Sequence, residues 1–118
     1  GLVLLAAPVS SHDDTLGARF VDPDGANASE CLEHHEPCAS IQYALSQARP
    51  GNTLKVSAGI YDVTGVEPES FLFGTIHAQG GYEPGGHFEL RDPEAYPTIL
   101  VGVDPRYRQQ LMHLGFQW

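Results

Sequence analysis

Cations are scarce in this chain: six Lys and Arg stand against fifteen Asp and Glu in 118 residues, a formal net charge of −9. That balance excludes a basic footprint for nucleic acid or for an anionic membrane surface. Cysteine is nearly missing too, at two residues, which excludes a scaffold held by many disulfides. No stretch reaches the roughly 18–20 apolar residues that a membrane span needs. Turn formers, by contrast, are abundant. Thirteen Gly and nine Pro accompany a hydrophobic content of 42%, which favours short strands and tight corners over a helical bundle. The length is that of one domain with a modest core.

The most legible stretch is Ser40 to Tyr61. Ile41, Ala44, Leu45 and Ala48 recur at i, i+3, i+4 and i+7, one apolar stripe on a helix. Ser40 suits the N-cap, Arg49 the negative end of the helix dipole, and Pro50-Gly51 stops the helix. Thr53 to Ser57 then alternates, with Leu54 and Val56 on one face, and Ile60 to Val63 resumes extended chain after Ala58-Gly59. A helix of about ten residues is marginal alone, so its stripe must cover something apolar.

Elsewhere the chain reads as short strands and loops. Gly1 to Val9 is either the tail of a secretory signal or a retained apolar strand, and Ser10 to Gly17 is polar. Together they make an arm over residues 1–19, followed by a folded unit over 20–118. Arg19-Phe20-Val21 is a strand stopped by Asp22-Pro23-Asp24-Gly25. Phe71-Leu72-Phe73 leads to a strand at Thr75 to Ala78. Gln79 to Pro97 is a long polar connection, Thr98 to Val101 is a strand, and Leu111 to Leu114 is a last one. The centres Val56, Ile76 and Ile99 lie at intervals that suggest a stacked solenoid, each strand above the previous one.

The order Phe20 to Gly25, Ser40 to Leu45, Pro50 to Val56 and Ala58 to Tyr61 resembles the N-terminal cap and first coil of secreted bacterial right-handed parallel β-helix proteins, the pectate-lyase-like group. Thr75 to Tyr82, Arg91 to Glu94 and Pro97 to Leu100 are similar to its second coil. The resemblance implies a mainly β fold, a right-handed parallel β-helix of two to three coils with a short capping α-helix. In it, Ile41, Ala44, Leu45 and Ala48 would cover the open end of the first coil. Relatives of that kind include polysaccharide lyases, adhesins and surface proteins, and they continue through many more coils. No capping element is legible near Trp118. None of the lyases' catalytic residues carries over to a position here.

The chemistry-bearing residues each have a plain reading beside a functional one. Cys31 and Cys38, in CLEHHEPC, form either one disulfide or, with His34 and His35, a zinc cluster of C-x2-H-H-x2-C spacing; the disulfide is preferred because no second ligand pair is near. It would constrain the unfolded chain by roughly 2–3 kcal/mol. Asp22 and Asp24, with Glu30, are calcium candidates that lack regular loop spacing, so a solvated turn is the competing reading. No other cofactor is implied. His77 and His113 would be neighbours only if their strands stack. Glu83, His87, Glu89, Arg91 and Asp92 share the long connection, where functional residues concentrate. Asn27-Ala28-Ser29 has the form of a glycosylation sequon. The aromatics of the second half suit a core, an interface or a glycan-stacking surface.

No matched nucleophile and base appear, so the reading leans away from an enzyme. The expectation is an extracellular or cell-surface structural module that self-associates or stacks on the rest of a longer β-helix. Leu111, Met112, Leu114, Phe116 and Trp118 would be its interface. The alternative is the N-terminal part of a glycan-degrading enzyme. Protonating six histidines would take the charge from −9 to −3 and favour association at low pH.

Overall fold

A computed structural model describes residues 17–67, 76–85 and 87–118. Six short strands form from the apolar runs: β1 (Ala18–Val21), β2 (Thr53–Ser57), β3 (Gly59–Asp62), β4 (His77–Tyr82), β5 (Thr98–Val101) and β6 (Phe116–Gln117). Among the described residues two α-helices join them, α1 (Ile41–Gln47) and α2 (Arg108–His113).

The strands make two three-stranded parallel sheets, β1-β2-β4 and β3-β5-β6. This corrects the expected β-helix of two to three coils. The strands expected to stack as one series, centred on Val56, Ile76 and Ile99, divide between the two sheets. Leu54 faces Ala78 in the first sheet, whereas Ile99 faces Ile60 in the second. Ala18 faces Thr53 and Thr53 faces His77, while Gly59 faces Thr98 and Thr98 faces Phe116. These offsets are uneven, and no solenoid repeat runs through the described residues. The result is a small α/β arrangement.

α1 keeps the first three positions of its expected stripe, while Ala48 follows the helix as its extended C-cap. Ile41 and Ala44 are buried, with Leu45 packed at the edge of the same core. The Ser40 hydroxyl accepts from the Tyr43 N–H at 3.1 Å, as an N-cap should. With no solenoid to close, the helix is a layer of the core beside β1 and β2. α2 replaces the strand expected at Leu111 to Leu114. Asp104 accepts from the Arg106 N–H, Pro105 opens a 3-10 turn, and Arg108 to Met112 are good helix formers, so local capping outweighs the short apolar run. Leu111 is thereby turned into the core.

Ser57, Ala58 and Gly59 make the corner where β2 passes from the first sheet to β3 in the second. A side chain at position 59 would run into the ring of Pro23, so only glycine permits that approach. Tyr61 secures the corner: its buried hydroxyl donates to the Ser57 carbonyl at 3.1 Å, and burial pushes its pKa well above the ordinary tyrosine range. The main core lies between the sheets and helices, built from Val21, Leu54, Val56, Leu100, Leu111 and Phe116 among others. A second cluster, Ala18, Phe20, Tyr82 and Phe88, covers the other face of the first sheet. The arm expected over residues 1–19 falls mostly outside the described residues, and its last two, Ala18 and Arg19, belong to β1. The strand start at Thr75 and the Phe71-Leu72-Phe73 segment also lie outside them.

Candidate functional site

Both outer edges of the first sheet are occupied by backbone partners. Beyond β1 runs the loop closed by the Cys31–Cys38 disulfide, whose Cα atoms lie 5.2 Å apart. Phe20 N–H donates to the Cys31 carbonyl, Cys38 N–H to the Phe20 carbonyl, and Asp22 N–H to the Cys38 carbonyl, at 2.8, 2.9 and 2.9 Å. The cysteines therefore hold a substitute strand against β1, and the zinc alternative gives way to a bond between their sulfurs.

Beyond β4 the connection after Tyr82 folds back. Asp92 N–H donates to Gly81 O, Gly80 N–H to Leu114 O, and Glu83 N–H to Leu90 O. The Arg91 guanidinium donates to the Gly80 and Leu114 carbonyls, both at 2.9 Å, while lying 5.8 Å from the Tyr82 ring. Arg91 thus anchors the long connection.

The second sheet is different. Among the described residues, neither β3 nor β6 has a strand on its outer side. Ile60 on β3 is 70% exposed. At the β6 end lies a groove of about 460 Å³, lined by Pro93, Met112, Phe116, Gln117 and Trp118 with their neighbours. Met112 is 58% and Trp118 44% exposed, with the Arg108 guanidinium 5.6 Å from the Trp118 ring. Of the five residues expected at an interface, Met112 and Trp118 face outward, Leu114 is half-buried, and Leu111 and Phe116 are core.

The remaining candidates sort by what their atoms already do. Asp22 is 3% exposed. Its carboxylate accepts from Ser57 Oγ at 2.8 Å and from the Gly85 and Asp24 N–H groups, each at 2.9 Å. That is a structural bracket, and Asp24 is exposed beside it. Among the described residues no three or more His, Cys, Asp or Glu gather in a metal-ready group. Asn27 braces the start of α1, its Oδ1 accepting from the Ala39 and Ser40 N–H groups. His77 lies on β4 and His113 ends α2, both exposed.

Two side chains that the sequence left apart do meet. His34, in the disulfide loop, and His87, after Gly85, bring their Nδ1 atoms to 3.4 Å. His34 also sits edge-on to Phe20, and Phe20 packs on Phe88 with centroids 4.9 Å apart. No spacing rule finds this pair, because the residues belong to separate loops that only the folded sheet brings together.

Against known proteins the comparison is empty. No family model, curated protein or solved structure matches the chain. The β-helix resemblance in the sequence therefore has no relative behind it. No helix among the described residues is long and apolar enough to cross a membrane.

Proposed function

We propose that this chain is a non-catalytic, extracellular assembly module that joins copies of itself through the open edges of its second sheet. The observation that carries the reading is the contrast in edges: β1 and β4 are bordered by backbone partners, whereas among the described residues no further strand borders β3 or β6. An unpaired strand edge is a template for another chain. Because β3, β5 and β6 are parallel, β6 of one copy set beside β3 of the next would continue the sheet in the same direction. Such a contact is heterologous and repeats, giving a filament or a ring. The exposed Ile60 at one edge and Met112 and Trp118 at the other supply apolar surface for it. The Cys31–Cys38 disulfide supports an oxidising, extracellular setting.

The charge of −9 opposes association of like copies. Sedimentation of the purified chain should therefore show larger species as salt screens that repulsion. Ile60→Lys and Trp118→Lys separate edge pairing from plain charge repulsion. Each lowers the net negative charge, so repulsion alone predicts more association, whereas a lysine on a pairing edge predicts less. A folded monomer at high concentration and high salt would overturn the proposal.

A further inference from the structure

The His34–His87 pair lies away from the β6 end and is untouched by the assembly reading. The two rings come from loops that are independently held. His34 is inside the eight-residue disulfide loop that pairs with β1. His87 lies two residues beyond Gly85, whose N–H is fixed to the buried Asp22 carboxylate, and precedes Phe88. Phe88 has φ 59° and is only 4% exposed. A left-handed conformation is strained for a bulky residue, and Phe88 holds it while packed on Phe20 and 6.0 Å from the Tyr82 ring. Burying that aromatic side chain offsets the strain. The consequence is positional: with Phe88 turned inward, His87 stands outward beside His34.

The separation of the two nitrogens decides what they suit. At 3.4 Å they lie at the long end of hydrogen-bonding distance, beyond the 2.7–3.2 Å usual for N–H···O bonds. Two imidazole nitrogens bound to one tetrahedral metal at about 2.0–2.1 Å lie about 3.3–3.4 Å apart. Beside them is a cleft of about 300 Å³ that Asp24 and His35 also line, with room for water as the remaining ligands. His35 is drawn the other way, its Nδ1 3.9 Å from Glu33 Oε1.

We propose that His34 and His87 are the two protein ligands of a divalent transition-metal site, with water completing the coordination. Neutral imidazole suits Zn²⁺, Ni²⁺ and Cu²⁺, with Cu²⁺ favoured over its neighbours in affinity. The ion clips the disulfide loop to the loop that carries Phe88, and so fastens the aromatic cover of the first sheet.

The test is titration of the full chain with Zn²⁺ alone, read by calorimetry and by imidazole ¹⁵N NMR. One ion per chain should bind, and the Nδ1 signals of His34 and His87 should shift together while those of His77 and His113 stay. The NMR readout needs no variant, so it stands even if a substitution disturbs the loop. His34→Ala and His87→Ala should each weaken binding roughly tenfold or more, and His35→Ala by less than about threefold. Absence of binding, shifts centred on other histidines, or affinity unchanged by removing His34 and His87 would overturn the site.

Discussion

The two sheets have the same number of strands and the same parallel sense, yet their edges are treated in opposite ways. The first, β1-β2-β4, has one edge covered by a disulfide loop and the other by the backbone of residues 90–92 with Arg91. The second, β3-β5-β6, carries no described strand beyond either edge. The first sheet also has both faces covered at β1, all four of whose residues are buried, as parallel sheets require. On β3 only Tyr61 is buried. The difference teaches that sealing here comes from loops and not from sheet size. Wherever the chain spends a loop on an edge, that edge is closed to partners.

The largest expected effect comes from unsealing the first sheet. Replacing Cys31 and Cys38 together by serine should cost about 2.5 kcal/mol, because the loop's constraint on the unfolded chain is lost. Chemical denaturation should show it, and the variant should gain association that Ile60→Lys does not suppress, since the new edge is β1. A stability unchanged by the double substitution would mean that the loop holds its place without its bond.

Next is the seam between the sheets. A Cβ on Gly80 of β4 would lie 2.7 Å from the Gly115 carbonyl and 2.9 Å from the Phe116 ring. Gly80→Ala should therefore cost about 2 kcal/mol by overpacking, and should loosen β6 from the body. Thermal melting checks the first expectation and amide exchange at Phe116 the second. A neutral Gly80→Ala would show that the two sheets are not pressed together there.

The smallest effect is in alkaline solution. Burial, chiefly, raises the pKa of Tyr61, and burial also raises that of Tyr82, with Arg91 pulling the latter down. A phenol whose folded pKa is raised contributes stability that is complete below its unfolded value, about 10. That stability is lost as the pH climbs beyond it, so the fold should weaken above about pH 10. Ionisation of the Tyr61 and Tyr82 phenols, followed residue by residue by NMR, should accompany unfolding and not precede it. Tyr61→Phe should flatten this dependence more than Tyr82→Phe, because the Tyr61 hydroxyl ties β3 to the end of β2 in the other sheet.

How far these features could be read from the sequence depends on whether local chemistry or distant packing decided them. The Ser40 cap, the stripe of α1, the alternation of β2 and the cysteine pair are local, and they stand where the residues put them. β4 begins at His77 and runs through Gly80 and Gly81 to Tyr82, residues that look like breakers. They are glycines because Gly115, Phe116 and Pro93 press against the strand, and that pressure is invisible until β6 is in place. The solenoid expectation failed for a related reason. Spacing along the chain counts strands but does not say which sheet each will join, and β5 found β3 instead of β4. Leu111 to Leu114 misled because a short apolar run suits a strand or a helix equally, and the cap before it decided the matter. In the site, Met112 and Trp118 were legible as apolar residues without a partner in the sequence. His34 and His87 were not, since nothing local links two loops 53 residues apart.

The Asp22 carboxylate has one consequence for how the molecule comes together. Its donors arrive from Asp24, Ser57 and Gly85, so the chain must deliver three segments in succession to one acceptor. The nearby turn and the disulfide loop can close around β1 at small entropic cost, while the later donors wait on long loops. During synthesis the β1 side of the body can thus be finished while the rest is still emerging. Among the described strands β6 is the last to be delivered, and it finds its place against β5 only after β3 and β5 are available to receive it.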